Sequence, residues 1–265
     1  MRRETFETPG QLRLEVRVPS GRIDLETVEG VETIVELEGS PEIEEDARIE
    51  VRQRRDGHDV NVVIEDKGLF RRFRGDVRVR VSMPPGADVE VSTASADVNG
   101  RGEFGALEVN TASGDVAFDQ VGGDAQVNSA SGDVKISRVQ GALTVNSASG
   151  DLEVGYVGGN GKVRSASGDV SIDEAEGSLK IQTASGDLQA GSVREGDVTL
   201  QTASGDIEVG VKQGSKLWID ARSMSGDTSS DFDLGDAPPD GEGPLVEIRA
   251  TAMSGDITVS RAQEG

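Results

Sequence analysis

The sequence predicts an all-β protein, a single-stranded parallel β-helix (β-solenoid) of about 18 residues per coil with an irregular N-terminal β cap. Three observations predict it. A Ser-Gly-Asp motif followed by an aliphatic residue recurs at a fixed interval, apolar and polar residues alternate on both sides of it, and small residues replace bulky ones throughout.

The interval is the strongest of these. The motif's Asp falls at Asp97, Asp115, Asp133, Asp151, Asp169 and Asp187, in steps of 18, and then at Asp206, Asp227 and Asp256, in steps of 19, 21 and 29. Aligned copies give aliphatic columns: Val109, Val127, Val145, Val163 and Ile181, and again Val116, Val134, Leu152, Val170 and Leu188. Within one copy Leu107, Val109 and Thr111 alternate with polar residues, as do Val116 and Phe118, which is the period of a strand with one buried face. Each copy therefore holds two short strands. Such a unit cannot bury its own apolar face, so neighbours must stack in parallel about 4.8 Å apart.

Taken in order, residues 1–90 read as strands without the 18-residue period: irregular early coils and a cap over the first open edge. Arg55-Asp56-Gly57-His58 has the composition of a hairpin turn, and Glu42–Asp46 after Ser40-Pro41 suits one helical turn or a loop. Residues 91–227 hold the regular repeats. An Asp-, Gly- and Pro-rich insertion, 228–244, precedes the last coil and tail, 245–265.

Composition limits function. Hydrophobic residues make up 34% and aromatics 3% of the 265 residues, but 35 glycines bring the apolar share near the usual range, so the chain folds around a thin aliphatic core. The formal charge is −22; residues 1–90 hold 15 basic and 21 acidic side chains, the remainder 12 and 28. That field repels nucleic acid and anionic lipid. With no cysteine there is neither a disulfide framework nor a thiolate metal site. The sequence as it stands contains no signal-peptide pattern and no membrane-length apolar run. It reads as cytoplasmic, or as surface-exposed or exported if a tether lies beyond it.

The run Val77-Arg-Val-Arg-Val-Ser-Met-Pro-Pro-Gly-Ala-Asp-Val-Glu-Val, followed by repeated Thr/Ser-Ala-Ser-Gly-Asp-Val, resembles the bacterial "putative adhesin" family of uncharacterised β-strand-repeat domains. Gly21-Arg-Ile-Asp-Leu is similar to that family's opening strand, and the likeness covers nearly the whole chain. The resemblance implies a right-handed β-helix, and adhesion by fold-level analogy.

The chemistry-bearing residues point to structure. Gly114, Asp115, Gly132, Asp133, Gly150, Asp151, Gly168, Asp169, Gly186, Asp187, Gly205 and Asp206 are read as structural turn residues: Gly tolerates φ > 0 and close backbone approach, and Asp accepts a backbone N–H. Carboxylates 4.8 Å apart repel by about 0.9 kcal/mol per pair in bulk water, so backbone donors, salt or a cation must offset them. One carboxylate per corner is thin supply for Ca²⁺, which takes about 6–8 oxygen ligands. The hydroxyls from Thr111 to Thr202 share the parity of the aliphatic columns and are expected to point inward, bonded to the adjacent coil. The column Asn110, Asn128, Asn146, Arg164, Gln182 and Gln201 is expected on the outside, since Arg does not fit a buried amide ladder.

No catalytic, metal or cofactor site is assigned, and the chain is read as non-enzymatic. The only histidine, His58, lies beside a predicted turn, and the spacing of seven and five between Val109, Val116 and Val121 does not fit a hexapeptide acyltransferase. The expected function is an adhesin-like structural scaffold for surface display or self-association. Its alternatives are a module binding a glycan or divalent cation along one ladder face, and a filament-forming scaffold. Partners are further copies of the chain or a cell-surface or glycan ligand, not nucleic acid. The basic patch Lys67, Arg71, Arg72 and Arg74 is the candidate association surface. Changing Arg71, Arg72 and Arg74 to Glu is then expected to alter the mass measured by light scattering; an unchanged mass removes the patch from that role.

Overall fold

The computed structural model describes residues 1–64, 77–232 and 243–262, so the basic patch 67–74 and most of the insertion 228–244 lie outside the described residues. The protein is an all-β parallel solenoid with one short helix among the described residues. The chain divides into two compact units, Met1–Ile136 and Ser137–Gly265.

In the first unit the 18-residue period becomes strand register. Val91 pairs with Val109 and Val109 with Val127 along one side of the coils, and Val98 pairs with Val116 along another. All of these valines are buried. Gly100 stands in register with Phe118, and a Cβ on Gly100 would come within 2.2 Å of the Phe118 ring. That missing side chain is what admits an aromatic residue to an aliphatic core. Phe118 then meets Phe104 edge-to-face, with centroids 5.2 Å apart.

The N-terminal cap is built by pairing order. The strand Gln11–Thr27 comes early in the chain yet lies between three others: Asp88–Phe104 on one edge, Gly57–Val63 and Arg78–Met83 on the other, all parallel to it. The outer pair is covered in turn by antiparallel strands. Arg48–Gln53 joins Gly57–Val63 through the turn that Asp56-Gly57 makes, and Glu32–Glu38 joins Arg78–Met83 and then Arg2–Glu7. Gly57 is required there, because a Cβ would sit 1.8 Å from the Gln11 carbonyl oxygen. The helix Pro41–Asp46 buries Ile43, and the Arg2 guanidinium donates to the carbonyls of Glu44 and Ala47, two of the acceptors a helix end leaves open.

In the second unit the same register holds. Val145 pairs with Val163, Val163 with Ile181 and Ile181 with Leu200; on the next side Leu152, Val170, Leu188 and Ile207 form a second buried ladder. The final coil departs from chain order. Leu245–Ser254 and Ile257–Arg261 slot between the coil of Gly196–Ser204 and Ile207–Val211 and that of Lys216–Ser223 and Thr228–Ser230. The coil of Leu245–Ser254 and Ile257–Arg261 is therefore interior, and among the described residues Lys216–Ser230 is outermost. Residue types agree with this order. The interior coil places Ile257 and Val259 in the core, whereas their register partners on the outer coil are polar, Thr228 exposed and Ser230 half-buried.

The constraint that recurs from coil to coil lies at the Ser-Gly-Asp corner. Gly168 has φ of 108°, and a Cβ there would lie 2.2 Å from the carbonyl oxygen of Gly150, its counterpart one coil below. Gly168→Ala is expected to combine left-handed strain with a backbone clash and to cost about 3 kcal/mol or more. Urea unfolding checks this; a loss below about 1 kcal/mol would mean that the corner relaxes freely.

Candidate functional site

The Ser-Gly-Asp corners form the most regular polar surface of each unit, and each Asp has a definite bond. In the first unit the amide of Asp115 donates to Oδ1 of Asp97 (3.3 Å) and that of Asp133 to Oδ1 of Asp115 (3.0 Å). In the second unit Asp169 donates to Asp151 (2.9 Å), Asp187 to Asp169 (2.8 Å) and Asp206 to Asp187 (2.8 Å). The ladder then follows spatial order, not chain order: Asp256 donates to Asp206 and Asp227 to Asp256, both at 2.8 Å. Beside it the amide of the following aliphatic residue reaches the next Asp carbonyl, as Val170 does to Asp187 at 2.9 Å. The backbone thus supplies a donor to the carboxylates of Asp97, Asp115, Asp151, Asp169, Asp187, Asp206 and Asp256. A hydrogen bond to a charged acceptor contributes about 1.5–3 kcal/mol, enough to offset the repulsion along an exposed column.

The hydroxyls lie inward as parity requires: Thr111, Ser129, Thr183 and Thr202 are buried. Their partner differs from the one expected. Ser129 Oγ donates to the carbonyl of Ser131, Ser147 to Ser149, Ser165 to Ser167, Thr183 to Ser185 and Thr202 to Ser204, at 2.7–3.1 Å. These five hydroxyls close the turn of their own coil, two residues on; Thr202 also reaches the Gly186 carbonyl of the adjacent coil at a longer 3.4 Å, and the buried Thr111 hydroxyl makes neither bond. A short local turn puts that carbonyl within reach before any neighbour stacks, so the local bond prevails.

The amide column points outward, half-buried or exposed. Asn128 donates to Asn110 Oδ1 (2.9 Å), and Gln182 to Gln201 Oε1 (2.7 Å). Elsewhere on the exterior, ion pairs join neighbouring strands and coils. Arg13 meets Glu90 at 2.7 Å and Lys212 meets Glu174 at 3.1 Å; these carboxylate hydrogen bonds hold both cations above their ordinary pKa. His58 opens the strand Gly57–Val63, and its Nδ1 lies 3.1 Å from the Pro9 carbonyl, bound to backbone. A shallow cleft lined by Arg22, Glu38, Arg78 and Asp97 sets opposite charges beside one another, with Arg22 and Asp97 3.9 Å apart. Among the described residues no group of three or more His, Asp or Glu side chains converges as a metal site would require. None of the described helices is long and apolar enough to cross a membrane.

With the stacked coils and their corners in place, comparison with known proteins gives a family. The Toastrack DUF4097 family matches residues 13–260. The chain belongs to that family. Among solved structures it is similar to a "putative adhesin" from Bacteroides fragilis, at 13% identity over 98% of this chain and 96% of that one, with a TM-score of 0.49. It is also similar to a "putative cell adhesion protein" from Clostridium sporogenes, at 11% identity over 98% and 99%, with a TM-score of 0.28. No curated protein matches the chain. For this Toastrack protein the fold therefore rests on the family and on the strand register.

The Asp ladder of the Toastrack repeat makes a specific demand: an oxygen acceptor, not a charge. Asp169→Asn keeps an Oδ1 for the Asp187 amide and removes two like-charge contacts, so its stability is expected within about 0.5 kcal/mol of the parent. Asp169→Ala removes the acceptor and is expected to cost about 1–2 kcal/mol. Equal losses for the two variants in denaturant titrations would show that charge, not acceptance, matters.

Proposed function

We propose that this Toastrack protein is a non-enzymatic structural scaffold, an adhesin-like solenoid that displays its outward ladders or joins to further copies of itself. One observation carries the reading: the repeated polar groups are already engaged in bonds within and between coils. The Asp carboxylates accept backbone amides of the next coil, the inward hydroxyls donate to carbonyls of their own turns, and outward amides bond to one another. Acid–base or nucleophilic catalysis needs a proton-transferring or nucleophilic group aimed into a concave, partly dry site. The ladders are open, repeated surfaces instead. The net charge of −22 supports partners other than nucleic acid or anionic lipid.

A ladder of identical groups is also the arrangement that a repeating ligand would match, so the competing reading is a glycan- or cation-binding module. Thermal melts with and without millimolar Ca²⁺ at matched ionic strength, together with a glycan array, separate the two. A ligand at one hundred times its Kd adds about 2.7 kcal/mol. For a chain of this size that raises Tm by roughly 5–10 °C. The scaffold reading expects a shift below about 1 °C and no selective glycan; a calcium shift of several degrees, or one selective sugar, would replace it with the binding module.

A further inference from the structure

The outermost coil of the second unit is finished on one side and unfinished on the other. Its strand Thr228–Ser230 carries polar Thr228 and Ser230 opposite core residues Ile257 and Val259, as a surface that ends in water should. Its strand Lys216–Ser223 does not. Leu217 and Ile219 stay aliphatic opposite fully buried Val246 and Ile248, yet both are only half-buried, because no further strand is paired beyond them among the described residues. Trp218, the only tryptophan, lies on the outward face of this same edge strand, under the Arg249 guanidinium at 5.2 Å. An edge strand with free backbone groups and a half-covered aliphatic row is a template for another strand.

We propose that Lys216–Ser223 pairs antiparallel with the same strand of a second copy, about a two-fold axis through Trp218. Strand parity and charge select this register. A two-fold through Trp218 sets Lys216 opposite Asp220 of the second copy, twice, and Leu217 opposite Ile219, twice, so that each aliphatic row completes the other's core. A two-fold through Ile219 instead sets Lys216 against Arg222, a like-charge pair. A slip of one residue against the partner would put aliphatic residues opposite polar ones. The contact is isologous and closed, so it ends at a dimer and does not propagate into a filament. It deepens the self-association part of the scaffold reading and rests on it.

Sedimentation velocity of the full chain across a concentration series tests the pairing, with circular dichroism confirming that each variant is folded. The parent chain is expected to sediment as a dimer that dissociates on dilution. Asp220→Lys places lysines opposite one another at both symmetric positions and is expected to weaken the dimer about ten- to one-hundred-fold. The charge-swapped K216D/D220K is expected to restore it. K216D alone, which attacks the same pair from the other side, is expected to act as D220K does and serves in its place should D220K not fold. A parent chain that stays monomeric at about 100 μM, or an oligomer that neither single variant weakens, overturns this pairing. Neither result bears on display by the ladders, which the ligand measurements test separately.

Discussion

Parallel stacking of coils in register is the constraint on which the rest of this structure depends. A strand of five or six residues stabilises little by itself; inner strands persist because their backbone amides and carbonyls find partners on the coils above and below. The Ser-Gly-Asp corner is where that arrangement is under most pressure. The chain must turn within a few residues while remaining close to its neighbours, and glycine's missing Cβ allows an approach that any other residue would obstruct. The Asp that follows provides an acceptor for the amide that the turn would otherwise leave unpaired.

This accounts for an electrostatic feature that would otherwise count against stability. A column of carboxylates at one strand spacing is repulsive, yet each carries a backbone donor and stands in water, where the field of its neighbours is weak and screened. The local bond to each carboxylate exceeds the repulsion between neighbours, so an acidic column can serve as a structural element. Hydroxyls solve a neighbouring problem at lower cost. One side chain closes its own turn and keeps the aliphatic row sealed behind it.

The two units finish their ends by related means. In each, a coil is placed between two others out of chain order, so that a segment near a terminus is paired on both edges and resists fraying. The first unit then covers its outer strands with antiparallel partners and a short helix. In the second unit the described edge strand Lys216–Ser223 keeps an aliphatic row that this covering would have hidden.

Much of this was legible from residue spacing. The 18-residue Asp interval and the period-2 columns set the register of Val109 on Val127 and of Val163 on Ile181, and parity alone set Thr111 inward and Asn110 outward. These are local properties, because strand geometry fixes which face a residue takes once its neighbours alternate. The partner of each inward hydroxyl was not legible, since the carbonyl of its own turn and that of an adjacent coil compete at similar distance and only the folded backbone ranks them. Nor was the order of the last coils. The longer intervals to Asp227 and Asp256 and the polar Thr228 and Ser230 were the available signals, but parallel coil edges offer nearly the same hydrogen bonds to any incoming strand. Sequence thus determined what each coil is and which face it buries; tertiary structure decided which coil lies beside which, because that choice rests on contacts between residues far apart in the chain.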